Sequence, residues 1–278
     1  MTELEGMPAR EARRALIALA ALTGVAAAVL FVGWPELDLV VARLFNLGPR
    51  RFVFNHSELA GALRFGFKLV TWAVSIAAVA GIVLALGRGK RLFGLALKEW
   101  VFLALVLIVG PGLIANTLLK DNWARPRPMH VVEFGGPDQF TPVLARSGAC
   151  ERNCSFISGE ASSIFAIGFA AVLLARRRRA AWMAGAVAAG STIGLIRIGE
   201  GGHFLSDVIF AGVIMALVVA FLHWLVFEVV APRARSEDWW HERTVAAWQA
   251  LRDRLQSLYA DFRAGRRRGG GDDVIGPP

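Results

Sequence analysis

The sequence predicts an all-α fold, a six-transmembrane-helix bundle with interfacial amphipathic helices, and three observations lead there. Of the 278 residues, 55% are hydrophobic and only 19% are charged, a balance foreign to water-soluble globular proteins. The apolar residues gather in runs free of Asp, Glu, Lys and Arg, close to the ~20 residues a helix needs to cross a hydrocarbon core. The formal charge of +9 sits in short clusters between those runs. Membrane topology accounts for such clusters better than nucleic-acid binding does.

The runs fall at about 15–34, 69–86, 101–119, 161–175, 180–196 and 208–227, within a membrane domain of residues 1–232. The first, preceded by Arg10, Arg13 and Arg14, is too long for a signal-peptide core and ends without a small-residue cleavage pattern, so it counts as a span. The third contains Gly110-Pro111-Gly112, which predicts a kink. If the six helices cross alternately, Arg10–Arg14, Arg88–Arg91, Arg176–Arg179 and the tail after Arg233 share one side. That side is predicted to be cytoplasmic and to carry both termini. Loops 35–68, 120–157 and 197–206 then face the periplasm of a bacterial inner membrane, although Arg43, Arg50, Arg51, Arg64 and Lys68 in the first of them blunt the asymmetry.

Two further segments read as amphipathic. Leu37, Val40, Val41, Leu44, Phe45 and Leu47 recur at helical spacing, as expected of a helix at the outer interface. In the tail, 233–265, a stripe of Val245, Trp248, Leu251, Leu255, Leu258 and Phe262 predicts a cytoplasmic helix. With Trp239, Trp240 and the arginines it fits a membrane surface, and self-packing or dimer contact is the alternative. Residues 266–278 have no periodicity and read as a disordered tail.

Ionisable groups at membrane helix ends must be satisfied or functional, and three sets stand at the predicted outer face. They are Lys120, Arg125 and Arg127; Ser158, Gly159 and Glu160; and Arg197, His203 and Asp207. Taken singly, each set reads as interfacial residues with snorkelling side chains. Together, cations and a Ser-Gly helix start suit a phosphate, which takes bidentate Arg donors and the positive end of a helix dipole. His203 and Asp207 at i and i+4 are expected to share a helix face. The carboxylate would accept from one ring nitrogen and leave the other as a nucleophile for phosphoryl transfer.

These residues resemble the motifs of the type 2 phosphatidic acid phosphatase (PAP2) superfamily of lipid phosphatases. Lys120 precedes Arg127-Pro128 by six intervening residues, and Arg197, His203 and Asp207 reproduce the family's third motif. The middle motif, usually Pro-Ser-Gly-His, reads Ile157-Ser158-Gly159-Glu160. The resemblance implies an outer-face active site in which His203 forms a phosphohistidine, oriented by Asp207, and water then hydrolyses it. Lys120, Arg127, Ser158, Gly159 and Arg197 would bind the phosphate, and neither a metal nor another cofactor is implied. Glu160 replaces the His that serves the leaving alcohol. An acid/base role, a structural role beside a leaving group needing little help, and a weakened enzyme all stay open. Ile157 and Ile196 stand where the family has Pro and Ser, which bears on loop rigidity and one phosphate contact.

Cys150 and Cys154 lie just before Ser158 and are expected to form a disulfide in an oxidising compartment. Two free thiols are the alternative; with His130 the only other obvious donor in that loop, zinc is not expected. A site at the membrane face favours a lipid phosphate as partner, with no nucleic acid. Phosphatidic acid, phosphatidylglycerol phosphate, undecaprenyl diphosphate and lipid A are the candidates. The Ser-Gly-Glu variant and a loop carrying Arg146, Glu151 and Arg152 are similar to features of bacterial lipid A phosphatases. A lipid-to-lipid phosphotransferase and a non-catalytic lipid-binding homologue are the alternative functions.

Overall fold

The computed structural model describes residues 7–88, 91–230 and 237–268, with side chains at 7–86, 91–230 and 245–260. Lys90 of the second basic cluster and residues 269–278 of the tail lie outside the described residues, as do the side chains of Trp239, Trp240 and Phe262.

The chain is mostly helical. α1 (Ala9–Gly33), α2 (Leu37–Arg43) and α3 (Glu58–Arg88) come first, with a small antiparallel ribbon, β1 (Asn46–Gly48) and β2 (Arg51–Phe52), between the last two. Ser57 starts α3 by accepting the Ala60 N–H on its hydroxyl, an N-cap. α4 (Leu97–Leu107) runs into a π-helical stretch, Ile108–Leu119, and then a last α turn, α5 (Lys120–Trp123). Then follow α6 (Gly159–Leu174), α7 (Arg179–Gly199), α8 (Leu205–Trp224) and α9 (Glu237–Arg268).

Among the described residues, five helical segments are long and apolar enough to cross a membrane: Ala9–Gly33, Glu58–Leu86, Leu97–His130, Arg179–Gly199 and Leu205–Val230. The sixth expected span is the shorter apolar helix α6, whose 16 residues reach about 24 Å at 1.5 Å per residue. α6 is the most enclosed helix, packed against α1, α3, α4, the π stretch, α7 and α8. Small residues make that fit. A Cβ on Gly168 of α6 would lie 2.4 Å from the Ala186 Cβ of α7, so the two backbones meet at a glycine, as membrane helices commonly do. The outward faces of α1 and α3 are apolar, with Leu22, Val25, Val29, Ile76 and Val79 exposed.

Three expectations are refined. Gly110-Pro111-Gly112 lies inside the third span without ending its helix. Pro111 has no N–H to give, and the helix continues through it with the wider π winding, a known way of absorbing a local insertion near functional sites. The buried face of α2 is Asp38, Leu39 and Ala42 rather than the predicted stripe, and Leu44 and Leu47 are exposed. α2 therefore turns its carboxylate inward and leaves the apolar residues Val40 and Leu44 outward. In the tail, α9 extends to Arg268, three residues into the segment expected to be disordered; its stripe residues Trp248, Leu251, Leu255 and Leu258 are exposed.

Polar contacts collect at the two ends of the bundle. At one end Arg13 of α1 meets Glu228 at 2.5 Å and Arg10 meets the same carboxylate at 3.5 Å, while Arg179 of α7 donates to the Met7 carbonyl. The other end gathers the close of α5, the start of α6, the close of α7 and the start of α8.

Candidate active site

At that second end the central object is Arg125, fully buried in the segment after α5. Its Nη1 donates to Asp207 Oδ1 at 2.6 Å and to the Ser206 hydroxyl at 2.9 Å. Its Nη2 donates to Asp38 Oδ2 at 2.8 Å, and its Nε to the Thr141 carbonyl at 2.8 Å. The Phe204 ring lies 4.4 Å from the guanidinium carbon, a cation–π contact. Asp38 also accepts the Ser206 N–H at 2.9 Å and the Ser206 hydroxyl at 2.5 Å. Burial pushes the Asp38 carboxyl up from its ordinary range, against the opposing charge of Arg125.

Both oxygens of Asp207 are engaged. Besides Arg125 it accepts the Phe204 N–H at 2.8 Å and the Ser155 hydroxyl. His203 is not on α8 at all: it precedes Phe204, the cap residue of the helix, so the expected shared helix face with Asp207 is absent. Its Nδ1 lies 2.7 Å from the Ser155 carbonyl and 3.8 Å from Asp207 Oδ2, the second distance being too long for a hydrogen bond. A carbonyl only accepts, so Nδ1 carries the proton and Nε2 holds a lone pair. Asp207 thus orients His203 mainly through Ser155, whose hydroxyl it accepts and whose carbonyl holds the ring. Burial is the largest influence on the His203 imidazole and holds its pKa down, to about 4.

The cations stand around this imidazole. The charges of Arg197 and Lys120 both act on His203. Arg127 donates through Nε and Nη2 to the Asn153 carbonyl at 3.2 and 2.7 Å, and Lys120 Nζ lies 3.3 Å from the Asn153 side-chain oxygen. Asn153 belongs to the five-residue loop closed by a disulfide between Cys150 and Cys154, with Cα atoms 5.8 Å apart. The loop thereby supports two of the predicted phosphate ligands.

Ser158 and Gly159 start α6. Ser158 sits at the N-cap without capping, and its hydroxyl is buried with no partner. A Cβ on Gly159 would lie 2.5 Å from the Asn116 side-chain oxygen and 3.2 Å from Lys120 Nζ, so only glycine lets the ammonium approach this helix terminus. Arg197, buried at the end of α7, pairs with Glu200 through Nη1, and its Nε is also buried without a partner. Two unsatisfied donors beside a helix N-terminus form an arrangement that an oxyanion satisfies.

Glu160 faces Arg64 of α3. Arg64 Nε lies 3.0 and 2.8 Å from the two carboxylate oxygens and Nη2 lies 2.6 Å from Oε1. Arg64 also reaches Glu200 at 3.4 Å, and Lys68 lies 3.9 Å from Glu160. A chain of alternating charge, Lys68, Glu160, Arg64, Glu200 and Arg197, therefore ties α3 to α6 and α7.

All the predicted site residues meet at this end of the bundle. Sequence reasoning missed Asp38, Arg64, Asn153, Ser155 and Ser206, and it counted Arg125 among the cations suited to a phosphate rather than as the partner of Asp207. For Asp38 and Arg125 a signal existed, a charge inside an apolar pattern at the membrane boundary. Ser155 acts through its carbonyl, and Asn153 largely does, which no pattern of residue types displays.

The model of the PAP2 superfamily matches residues 99–231. The lipid A 4′-phosphatase of Francisella tularensis subsp. novicida is 32% identical over 205 residues, 73% of this chain and 90% of that protein. The lipid A 4′-phosphatase of Rhizobium leguminosarum is 29% identical over 202 residues, 68% of this chain and 86% of its own. The protein of the same name from Rhizobium etli is 28% identical over 191 residues. No solved structure matches.

Two outcomes are expected from this geometry. Arg125→Met, which leaves Asp38 and Asp207 facing one another, should destabilise the protein by about 3–5 kcal/mol; Asp38→Asn, which keeps the shape and relieves the excess negative charge, should cost about 1–3 kcal/mol. Thermal unfolding in detergent measures both. Opening the Cys150–Cys154 loop, by reduction or by Cys150→Ser with Cys154→Ser, should raise KM more than it lowers kcat. The ceiling is about 2 kcal/mol, or ~30-fold, set by the entropy of so short a loop, and steady-state kinetics with and without reductant reads it.

Proposed function

The chain belongs to the PAP2 superfamily and is a membrane lipid phosphatase, and from that premise we propose that it hydrolyses a lipid phosphate monoester through a phosphohistidine at His203. The observation that carries this reading is the imidazole whose Nδ1 is pinned by the Ser155 carbonyl. Its Nε2 is left with a lone pair beside Arg197 and Lys120.

The Nε2 lone pair attacks phosphorus while the phosphorus–oxygen bond to the lipid breaks. The three equatorial oxygens lie against Lys120, Arg127, Arg197, the Ser158 hydroxyl and the first N–H groups of α6, where preformed donors meet the developing charge. The leaving alkoxide takes a proton from water, and the hydroxide left behind attacks the phosphorus of the phosphohistidine. The phosphorus–nitrogen bond breaks, hydrogen phosphate departs, and the imidazole returns neutral. No metal takes part in these steps. Asp207 and Ser155 hold the ring, and the carboxylate charge stabilises the imidazole as it becomes positive.

Of the roles open to Glu160, the three hydrogen bonds from Arg64 favour a positioning one. A carboxylate that accepts a bidentate guanidinium is arranged as an anion rather than as a proton donor. We read α6 as a sixth crossing, with the site on the periplasmic face of a bacterial inner membrane and both termini in the cytoplasm, because the basic clusters share the opposite end. Among lipid phosphates, the phosphates of lipid A are the preferred substrate class, on the strength of the relatives' own activity.

Purified protein in detergent with a chelator should release inorganic phosphate from lipid A, and His203→Gln should abolish it. The reading fails if the variant keeps its rate or if phosphate appears only as transfer to another lipid. Because a depressed imidazole pKa keeps His203 neutral well below pH 6.5, the acid limb of kcat/KM should fall near pH 4, once the ionisation of the substrate phosphate has been divided out. A limb at pH 6.5 from the enzyme itself would contradict the buried, neutral imidazole.

A further inference from the structure

A cavity of about 260 Å³ adjoins the phosphate site, between α3, α6 and the π stretch. It is lined at its mouth by Lys68, Lys120 and Glu160, and further along α3 by Thr71 and Trp72. Arg64, Lys68, Thr71 and Trp72 follow the i, i+4, i+7, i+8 pattern, so α3 presents one continuous face to the site and to this cavity. The whole of α3 precedes the stretch matched by the family model, which begins at residue 99.

The chemistry of the wall is specific. Thr71 donates its hydroxyl proton to the Phe67 carbonyl at 3.1 Å, Ser163 donates to the Gly159 carbonyl at 3.1 Å, and the Asn116 amide donates to the Pro111 carbonyl at 2.7 Å. Both hydroxyl protons are thus committed to backbone, so Thr71 and Ser163 offer acceptor oxygen outward, and Asn116 adds its side-chain oxygen and a second amide N–H. Lys68 and Lys120 supply cations. The Trp72 indole is half exposed, and the face of an indole receives the C–H face of a pyranose ring. An acyl chain has no use for such a row of acceptors, and a glycerol backbone presents few hydroxyls to them.

We propose that this cavity is the leaving-group subsite and that it takes a hydroxylated sugar ring carrying the phosphate, with α3 as the helix that selects it. The inference rests on the phosphatase reading above. Lys120 and Gly159 belong both to the phosphate site and to the wall of this cavity, so a bridging oxygen on that side leads the sugar between α3 and the π stretch while its acyl chains stay in the bilayer. The ion pair of Glu160 with Arg64 holds α3 at the distance that keeps this space open. Lys68, 3.9 Å from the same carboxylate, adds a second and longer contact between the two helices.

The test compares kcat/KM on three phosphates: a phosphorylated acyl-glucosamine lipid, phosphatidic acid with matched acyl chains, and p-nitrophenyl phosphate. Trp72→Ala should lower the ratio of the sugar lipid to each of the other two by about tenfold, and Trp72→Phe, which keeps a ring, should restore part of it. Trp72→Phe also serves if the alanine variant fails to fold. An active wild type whose ratios do not change in either variant, or which loses equally on all three phosphates, overturns the subsite alone. A folded wild type that releases phosphate from none of them overturns the phosphatase reading, and this site with it.

Discussion

One buried guanidinium organises the functional end of this molecule. Arg125 joins Asp38 from α2, Ser206 and Asp207 from α8 and the Thr141 carbonyl from the long loop. Burying a charge is expensive, and removing one partner from such a cluster leaves the others uncompensated. The three segments therefore have one arrangement in which all the charges are met. Asp207 acquires its position from this cluster, Ser155 acquires its position from Asp207, and the His203 ring is held by Ser155. The His203 ring is thus set three contacts away from the arginine that no motif reading assigned to it.

The proposed phosphate cradle is built on the opposite principle. Where both oxygens of Asp207 are engaged by donors, Ser158 Oγ and Arg197 Nε are buried and unmet. Leaving buried donors without partners costs stability, and sites of this kind concentrate where a ligand completes them. The loop closed by Cys150 and Cys154 keeps Lys120 and Arg127 from collapsing into this space, because Asn153 engages both at the rim. Rigid support behind an unsatisfied cradle is how a site holds cations close together without letting them disperse.

Glu160 shows how a departure from a family pattern is absorbed. The substitution of a carboxylate for an imidazole beside three cations would otherwise change the charge of the site. Arg64 from α3 answers it, and Glu200 shares Arg64 with Arg197, so the alternation of charge continues across three helices. A helix outside the motif region thereby becomes part of the site's wall.

The sequence by itself determined the membrane character, the apolar helical segments and the gathering of the motif residues at one helix end, because these follow from composition, period and spacing. Residues such as Lys120, Ser158 and His203 were legible because their chemistry is carried by residue type. Tertiary structure alone decided that Asp38 turns inward, that Pro111 is carried by a π winding, that Nδ1 of His203 meets a carbonyl rather than Asp207, and that Arg64 pairs with Glu160. The physical reason is common to all four. Backbone carbonyls and pairings between residues up to 168 positions apart leave no local signature. They are fixed only when packing excludes water and each buried polar group must find its partner among whatever the fold brings near.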